Sequence, residues 1–310
     1  MKVHNENIDT FHPYQGIQPV IDRLNELAKK SEYVFRGYGK QDEMIPKIIR
    51  AKDYTNLEGK LLKDFEKYGS SYFHAATPID FMSYAQHFGL PTRLLDFTYN
   101  PFIALSFALY SPKSNGKYSN EEDKTYYFIR YASIEENIVL QTLPVFEDKP
   151  IEQQLQRNSL AVQALQAIQI INAVYGYNPF NYSTDLFYSA MAVFNGINEK
   201  IFAEQKIRNR TILFVDPNQS NQRIVMQQGL FMFPYALNNA EHKKILNDNS
   251  YYIKIHKDLR NDLIRYLDTL GYNTFRLMPD LSSICEAIKR RNLDERAEKS
   301  NAFKNKGEWQ

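Results

Sequence analysis

Apolar and polar positions recur along this chain with two periods, and the period indicates the element to expect. Ile17, Val20, Ile21, Leu24 and Leu27 follow helical spacing, so Ile17 to Lys30 is predicted to be an amphipathic helix that ends at Ser31. Glu32 to Gly37 is short, aromatic and β-branched, which predicts a buried strand with Arg36 near its end. Helices are expected at about Leu57 to Tyr68 and at Pro78 to Phe88, where Gly89 and Pro91 stop the second. Asn100 before Pro101 is an N-cap followed by proline at the first helical position, which predicts a helix to Tyr110. Ser111 to Lys124, with Pro112, Asn115-Gly116 and the acidic run from Glu121 to Asp123, reads as a surface loop.

Thr125 to Tyr131 has strand character, and Ser133 with Glu136 has the form of a capping box that opens another helix. Ile151 to Tyr175 reads as an amide-rich helix, and Thr184 to Lys206 as two more. Four strand-like runs follow, at Arg210 to Val215, Arg223 to Pro234, Tyr251 to His256 and Thr274 to Met278, and they are expected to carry most of the sheet. Asp258 to Leu270 lines up Leu259, Leu263, Leu267 and Leu270 on one face and ends at Gly271, a helix with its C-terminal glycine. Ser283 with Glu286 opens a last helix. The expected class is α+β, a helix-rich N-terminal two-thirds packed on a mixed or antiparallel sheet. The organisation read from it is an N-terminal helical segment (1–31), a main domain (32–288) with a helical insert at about 133–206, and a charged tail (289–310).

Composition narrows the chemistry. The 310 residues hold 38 Lys plus Arg against 36 Asp plus Glu, a net charge of +2, so bulk nucleic-acid binding is not expected and any anion site must be local. One cysteine, Cys285, excludes an intramolecular disulfide framework and a Cys-x-x-Cys zinc site. The N-terminus lacks a basic and then apolar signal pattern. The longest uncharged stretch, Asn158 to Thr184, carries too many amides for a membrane span. A cytoplasmic protein is therefore expected. Glycine is scarce, 12 residues, and none forms a known phosphate loop: Asp42 stands where the dinucleotide fingerprint after Gly37 and Gly39 wants its third glycine. There is no G-x-S-x-G elbow and no H-E-x-x-H, and the six histidines show no metal-binding pair four residues apart.

The densest mixture of polar and apolar residues is Gln86-His87-Phe88-Gly89-Leu90-Pro91-Thr92-Arg93-Leu94-Leu95-Asp96-Phe97-Thr98, read as a loop between helices. Together with Phe35-Arg36-Gly37, Arg50 after Ile48-Ile49, Arg223 with Gln228-Gly229-Leu230-Phe231, and Pro279-Asp280-Leu281, this run resembles the FRG domain family, named for its Phe-Arg-Gly, over roughly Tyr33 to Ile288. Phe97 stands where the family often has Trp. The resemblance implies a bacterial or phage-related protein in a mobile or defence-related setting, and it implies no defined activity.

The residues inside these motifs are the site candidates. Arg36, Arg50, Arg93 and Arg223 have the planar fork that suits phosphate or carboxylate, and Arg36 beside Gly37 and Gly39 sits where backbone N–H groups can approach a phosphate. Thr92 belongs with these ligand-binding candidates. Asp96 is the best acid for base chemistry, His87 the best imidazole, and Gln228 a candidate for contact with a ribose or base. Each also has a structural reading: Arg93 and Asp96 stand three apart and can pair, Arg36 can pair with Asp96, and His87 can simply be hydrogen-bonded near a helix end. Two functions stay open. One is a nucleotide-handling enzyme with an ADP-ribosyltransferase-like layout, NAD being the cofactor or substrate to test. The other is a non-catalytic module that senses a nucleotide or nucleic-acid end through an arginine pocket. A protein partner bound through the amide-rich helix, at Gln163 and Gln166, is a third.

Overall fold

The computed structural model describes residues 8–50, 54–69, 71–72, 78–110, 121–141, 212–217, 222–234 and 239–281, with seven further positions up to 292. The helices expected at about 151–206 and most of the charged tail (289–310) lie outside the described residues.

The described elements are β1 (Ile8–Phe11), α1 (Gln18–Lys30), β2 (Tyr33–Tyr38), a 3-10 turn at Gln41–Met44, α2 (Lys47–Arg50), α3 (Tyr54–Gly69), α4 (Pro78–His87), β3 (Leu95–Thr98), α5 (Pro101–Tyr110), α6 (Glu121–Thr125), β4 (Tyr126–Ser133), β5 (Ile138–Gln141), β6 (Leu213–Asp216), α7 (Gln222–Gln227), β7 (Gly229–Met232), α8 (Asn239–Asn249), β8 (Tyr251–His256), α9 (Arg260–Thr269) and α10 (Thr274–Leu277). The strands form one sheet in the order β1-β8-β4-β2-β3-β7-β6-β5. β1 lies parallel to β8 and β5 parallel to β6, and the other neighbours are antiparallel, so the sheet is mixed and the class α+β.

Alternation along the central strands builds two cores. Phe35, Tyr127, Ile129, Tyr131, Ile253 and Ile255 face one way and bury Val20, Leu24 and Leu27 of α1, Leu105 and Leu109 of α5, and Leu263 and Leu267 of α9. Val34, Tyr38, Phe97, Phe128, Leu230 and Met232 face the other way, against Ile245 and Leu246 of α8. Gly37 explains how closely α5 approaches: a Cβ there would lie 1.7 Å from the carbonyl oxygen of Ala104. Helix-on-strand packing is therefore a structural reason for glycine at this place in the motif.

Several expected elements change. The sheet is not concentrated in the last third, because β1 to β5 all precede residue 142. β3 occupies sequence read as loop, since Leu95 and Phe97 point into one core while Asp96 between them stays exposed. The acidic run forms α6 at the start of β4. Ser133 does accept hydrogen bonds from the Glu135 and Glu136 amides, as a cap would. The chain makes only a turn there, because Asn137 ties Ser133 O to the Ile212 amide and the β-branched residues after it pair as β5. Arg223 to Pro234 divides into α7 and β7 at Gln228, whose φ of 45° breaks the element. Thr274 to Met278 is one helical turn, capped by Asn273 and not a strand.

Candidate functional site

β2 and β3 share a single registered pair, Phe35 with Thr98, whereas β2 and β4 share six. The two strands part beyond that pair, and Arg36 fills the gap. Its Nη1 donates to the Asp96 backbone carbonyl at 2.7 Å and its Nη2 to the Glu43 carbonyl at 2.9 Å. The fork therefore replaces missing ladder bonds and ties β3 to the turn after β2. The Asp96 carboxylate stands farther off, 3.8 Å from Nη1. Burial pushes the Arg36 guanidinium below its ordinary value, with neighbouring Arg50 adding to the effect while Asp96 and Glu43 oppose it. Its Nε is buried with no hydrogen-bond partner among the described residues.

A cleft of about 210 Å³ opens beside this fork. Arg36, Lys47, Arg50 and Arg223 line it, with Ser83, Gln86, His87, Asp96 and Gln227 as the other polar side chains. Asp96 is the one carboxylate among the described lining residues. Lys47 and Arg50 lie three apart on α2, on one face, and neither makes an ion pair with a described residue. Ile48 and Ile49 are buried and anchor that turn, which is how a four-residue helix holds two cations at a cleft.

A chain of hydrogen bonds positions Asp96. Thr92 Oγ1 accepts the Leu94 amide at 3.2 Å and so donates its own proton to Gln86 Oε1. That leaves the Gln86 amide nitrogen toward Asp96, where Nε2 donates to Oδ1 at 2.8 Å. The Asp96 side chain remains 55% exposed. Beside it, burial and the charge of Arg223 hold His87 below the usual imidazole range, against the opposite pull of Asp280 and Asp96, so the ring is neutral at pH 7. Its Nδ1 is buried with no hydrogen-bond partner among the described residues. Among the same residues no cluster of His, Cys, Asp and Glu has the make-up of a metal site.

Arg36, Arg50, Arg223, Asp96 and His87 thus meet at one cleft, and four expected site residues, Gly37, Thr92, Arg93 and Gln228, do not line it. Arg93 is 3% exposed and forms a buried pair with Glu58 of α3, with Nη2 to Oε2 at 2.6 Å, Nε to Oε2 at 3.0 Å and its backbone amide to Oε1 at 3.0 Å. Phe233 covers the guanidinium, 5.3 Å from its centroid. Pairing with Asp96 is therefore corrected to pairing with Glu58. Thr92 is buried and acts on Gln86. The exposed Gln228 gives its carbonyl to the Tyr99 amide at 3.0 Å, and its neighbour Gln227 takes the cleft position, braced by Nε2 to Leu277 O at 2.9 Å.

Sequence reasoning also passed over Lys47, Gln86 and Glu58. Lys47 was readable as the residue one turn before Arg50. Glu58 shares a helix face with Leu61, Leu62 and Phe65, and an acid on an apolar stripe indicates a buried partner.

Residues 31–117 match the family model of the FRG domain. This chain carries an FRG domain. The match takes in ten of the fourteen cleft-lining residues, and Arg223, Ile224, Gln227 and Phe231 come from beyond it. It is shorter than the resemblance over Tyr33 to Ile288, yet β7 pairs with β3 and brings the later residues to the same cleft. No curated protein and no solved structure matches the chain. No described helix is long and apolar enough to cross a membrane.

Proposed function

We propose that the FRG-domain cleft binds a small phosphorylated ligand, of which a nucleotide is the best-matched class. The observation that carries this reading is the gathering of Arg36, Arg50 and Arg223, from three separate segments, with Lys47 beside them and a single carboxylate on the wall. Like charges lining one cleft repel one another, and an anion bound among them lowers that cost. Arginine forks match phosphate oxygens bidentately, and a focused positive cleft on a chain of net charge +2 attracts such a ligand locally.

A catalytic version, the nucleotide-handling and ADP-ribosyltransferase-like enzyme, is favoured over a passive sensor by one feature. Asp96 offers an exposed carboxylate next to a neutral His87, an acceptor pair suited to moving a proton at a bound ligand. β7, the strand that follows Gln228, lacks an acid, and Asp96 on the paired strand β3 supplies one.

The test is incubation of the whole chain with NAD, followed by measurement of binding and of nicotinamide release. Release that disappears in Asp96→Asn supports the enzyme. Saturable binding of ADP or pyrophosphate without turnover supports the sensor, and no binding of any of the three overturns both versions.

A further inference from the structure

The cleft is basic, yet it also holds an acid in a set position. Asp96 has one carboxylate oxygen fixed by Gln86, and Gln86 is itself oriented by Thr92. Arg36 makes only a long ion pair with the carboxylate, Nη1 to Oδ2 at 3.8 Å, because it spends its fork on two backbone carbonyls. A phosphate seated against Asp96 would meet like charge in a confined site, so phosphate and Asp96 must take different parts of one ligand.

What Asp96 can accept is hydrogen-bond donors. An ionised carboxylate has acceptor capacity only, and the Gln86 amide uses one of its oxygens. Building on the phosphorylated-ligand reading, we infer that the ligand carries a ribose whose hydroxyl groups donate to Asp96, while Arg50, Lys47 and Arg223 take the adjoining phosphates. The hydroxyls of a 5′-phosphorylated ribose supply donors and anion on one molecule; inorganic phosphate has no sugar hydroxyls, and a 2′- or 3′-deoxy sugar lacks one of the two. An acidic side chain receives the ribose 2′-hydroxyl in dinucleotide folds for the same physical reason, although no glycine-rich loop is present here. The volume agrees: about 210 Å³ is small against the 300–1,000 Å³ of a typical ligand pocket, so it accommodates a sugar and phosphate and leaves the base at the mouth. Specificity then resides in the sugar and phosphate.

Calorimetric titration of the whole chain with pyrophosphate, ADP, 2′-deoxy-ADP and 3′-deoxy-ADP tests this. The expected result is that ADP binds at least tenfold more tightly than the weaker deoxy analogue. In Asp96→Asn, the ADP preference shrinks toward one while pyrophosphate binds equally or better, because a repelling charge has gone. A merely structural Asp96 would weaken every probe alike. Equal binding of ADP and both deoxy analogues to the unmodified chain overturns the ribose inference and leaves the phosphate site standing. Failure of pyrophosphate and ADP to bind at all overturns the phosphate site and the ribose inference with it. If Asp96→Asn does not fold, the ratio measured on the unmodified chain decides.

Discussion

Arg36 donates to the backbone carbonyl of Asp96 at 2.7 Å while remaining 3.8 Å from its carboxylate. The arginine that gives the motif its middle letter is therefore a brace between two parting strands, and the acid it braces stays available to the cleft. One consequence concerns Arg36→Lys. An ammonium is a point donor and cannot span the Asp96 and Glu43 carbonyls as the fork does. Chemical denaturation is expected to show a loss of about 2–3 kcal/mol, the scale of a charge-assisted hydrogen bond lost with a carbonyl left unsatisfied. An unchanged midpoint would show that the brace carries no stability.

Arg93 and Glu58 form a buried pair away from the cleft lining, and their variants should act on stability alone. Arg93→Ala or Glu58→Ala is expected to cost about 3–5 kcal/mol, since each leaves a buried charge without its partner. The double variant Arg93→Met with Glu58→Leu should regain much of that loss. Ligand affinity measured on the folded fraction of any of these variants should equal that of the unmodified chain.

How far this arrangement could be read in the sequence depends on the kind of signal. α1 and α9 were legible because a helix repeats its apolar pattern over several turns, and α4 and α5 because start and stop residues mark them, Gly89 and Pro91 after α4 and Asn100-Pro101 before α5. β1, β3 and β5 were not, because four residues give too short a pattern and each strand is fixed by a partner remote in sequence, as Asp96 is by Phe231. Likewise, motif spacing identified Arg36, Arg50, Arg223, Asp96 and His87, but could not distinguish the cleft arginines from Arg93. That distinction depends on Glu58, 35 residues away along the chain.

Gly37→Ala should be severely destabilising. The added methyl would lie 1.7 Å from Ala104 O, a backbone atom of a helix that cannot retreat without opening the core. A loss of about 3 kcal/mol or more is expected in denaturant titration, at the upper end of overpacking effects. Ordinary stability in this variant would mean that α5 does not sit on β2 as described.

Acid should weaken the fold through His242. Burial is the main cause that lowers its imidazole to about 4, opposed by its hydrogen bond to Met44 O at 2.7 Å, with Arg130, Arg36 and Lys243 lowering it further. A depressed histidine contributes stability above the unfolded value near 6.5, and that contribution is lost as pH falls, because the unfolded chain takes a proton the native state refuses. Stability is expected to drop by about 3 kcal/mol between pH 6.5 and 4 from this group. The same profile measured in His242→Gln should be flatter by that amount, and identical profiles would count against the assignment.

The proposal that the cleft binds phosphate is tested most directly by titrating ADP into the whole chain and into Arg50→Ala, with thermal unfolding of both in parallel. Arg50 is exposed and makes no described ion pair, so its loss should leave the melting temperature within a degree or two. The expected result is saturable ADP binding to the unmodified chain, weaker at higher salt and reduced at least tenfold in Arg50→Ala. Binding of equal strength in both proteins, or none to the unmodified chain, would contradict the account.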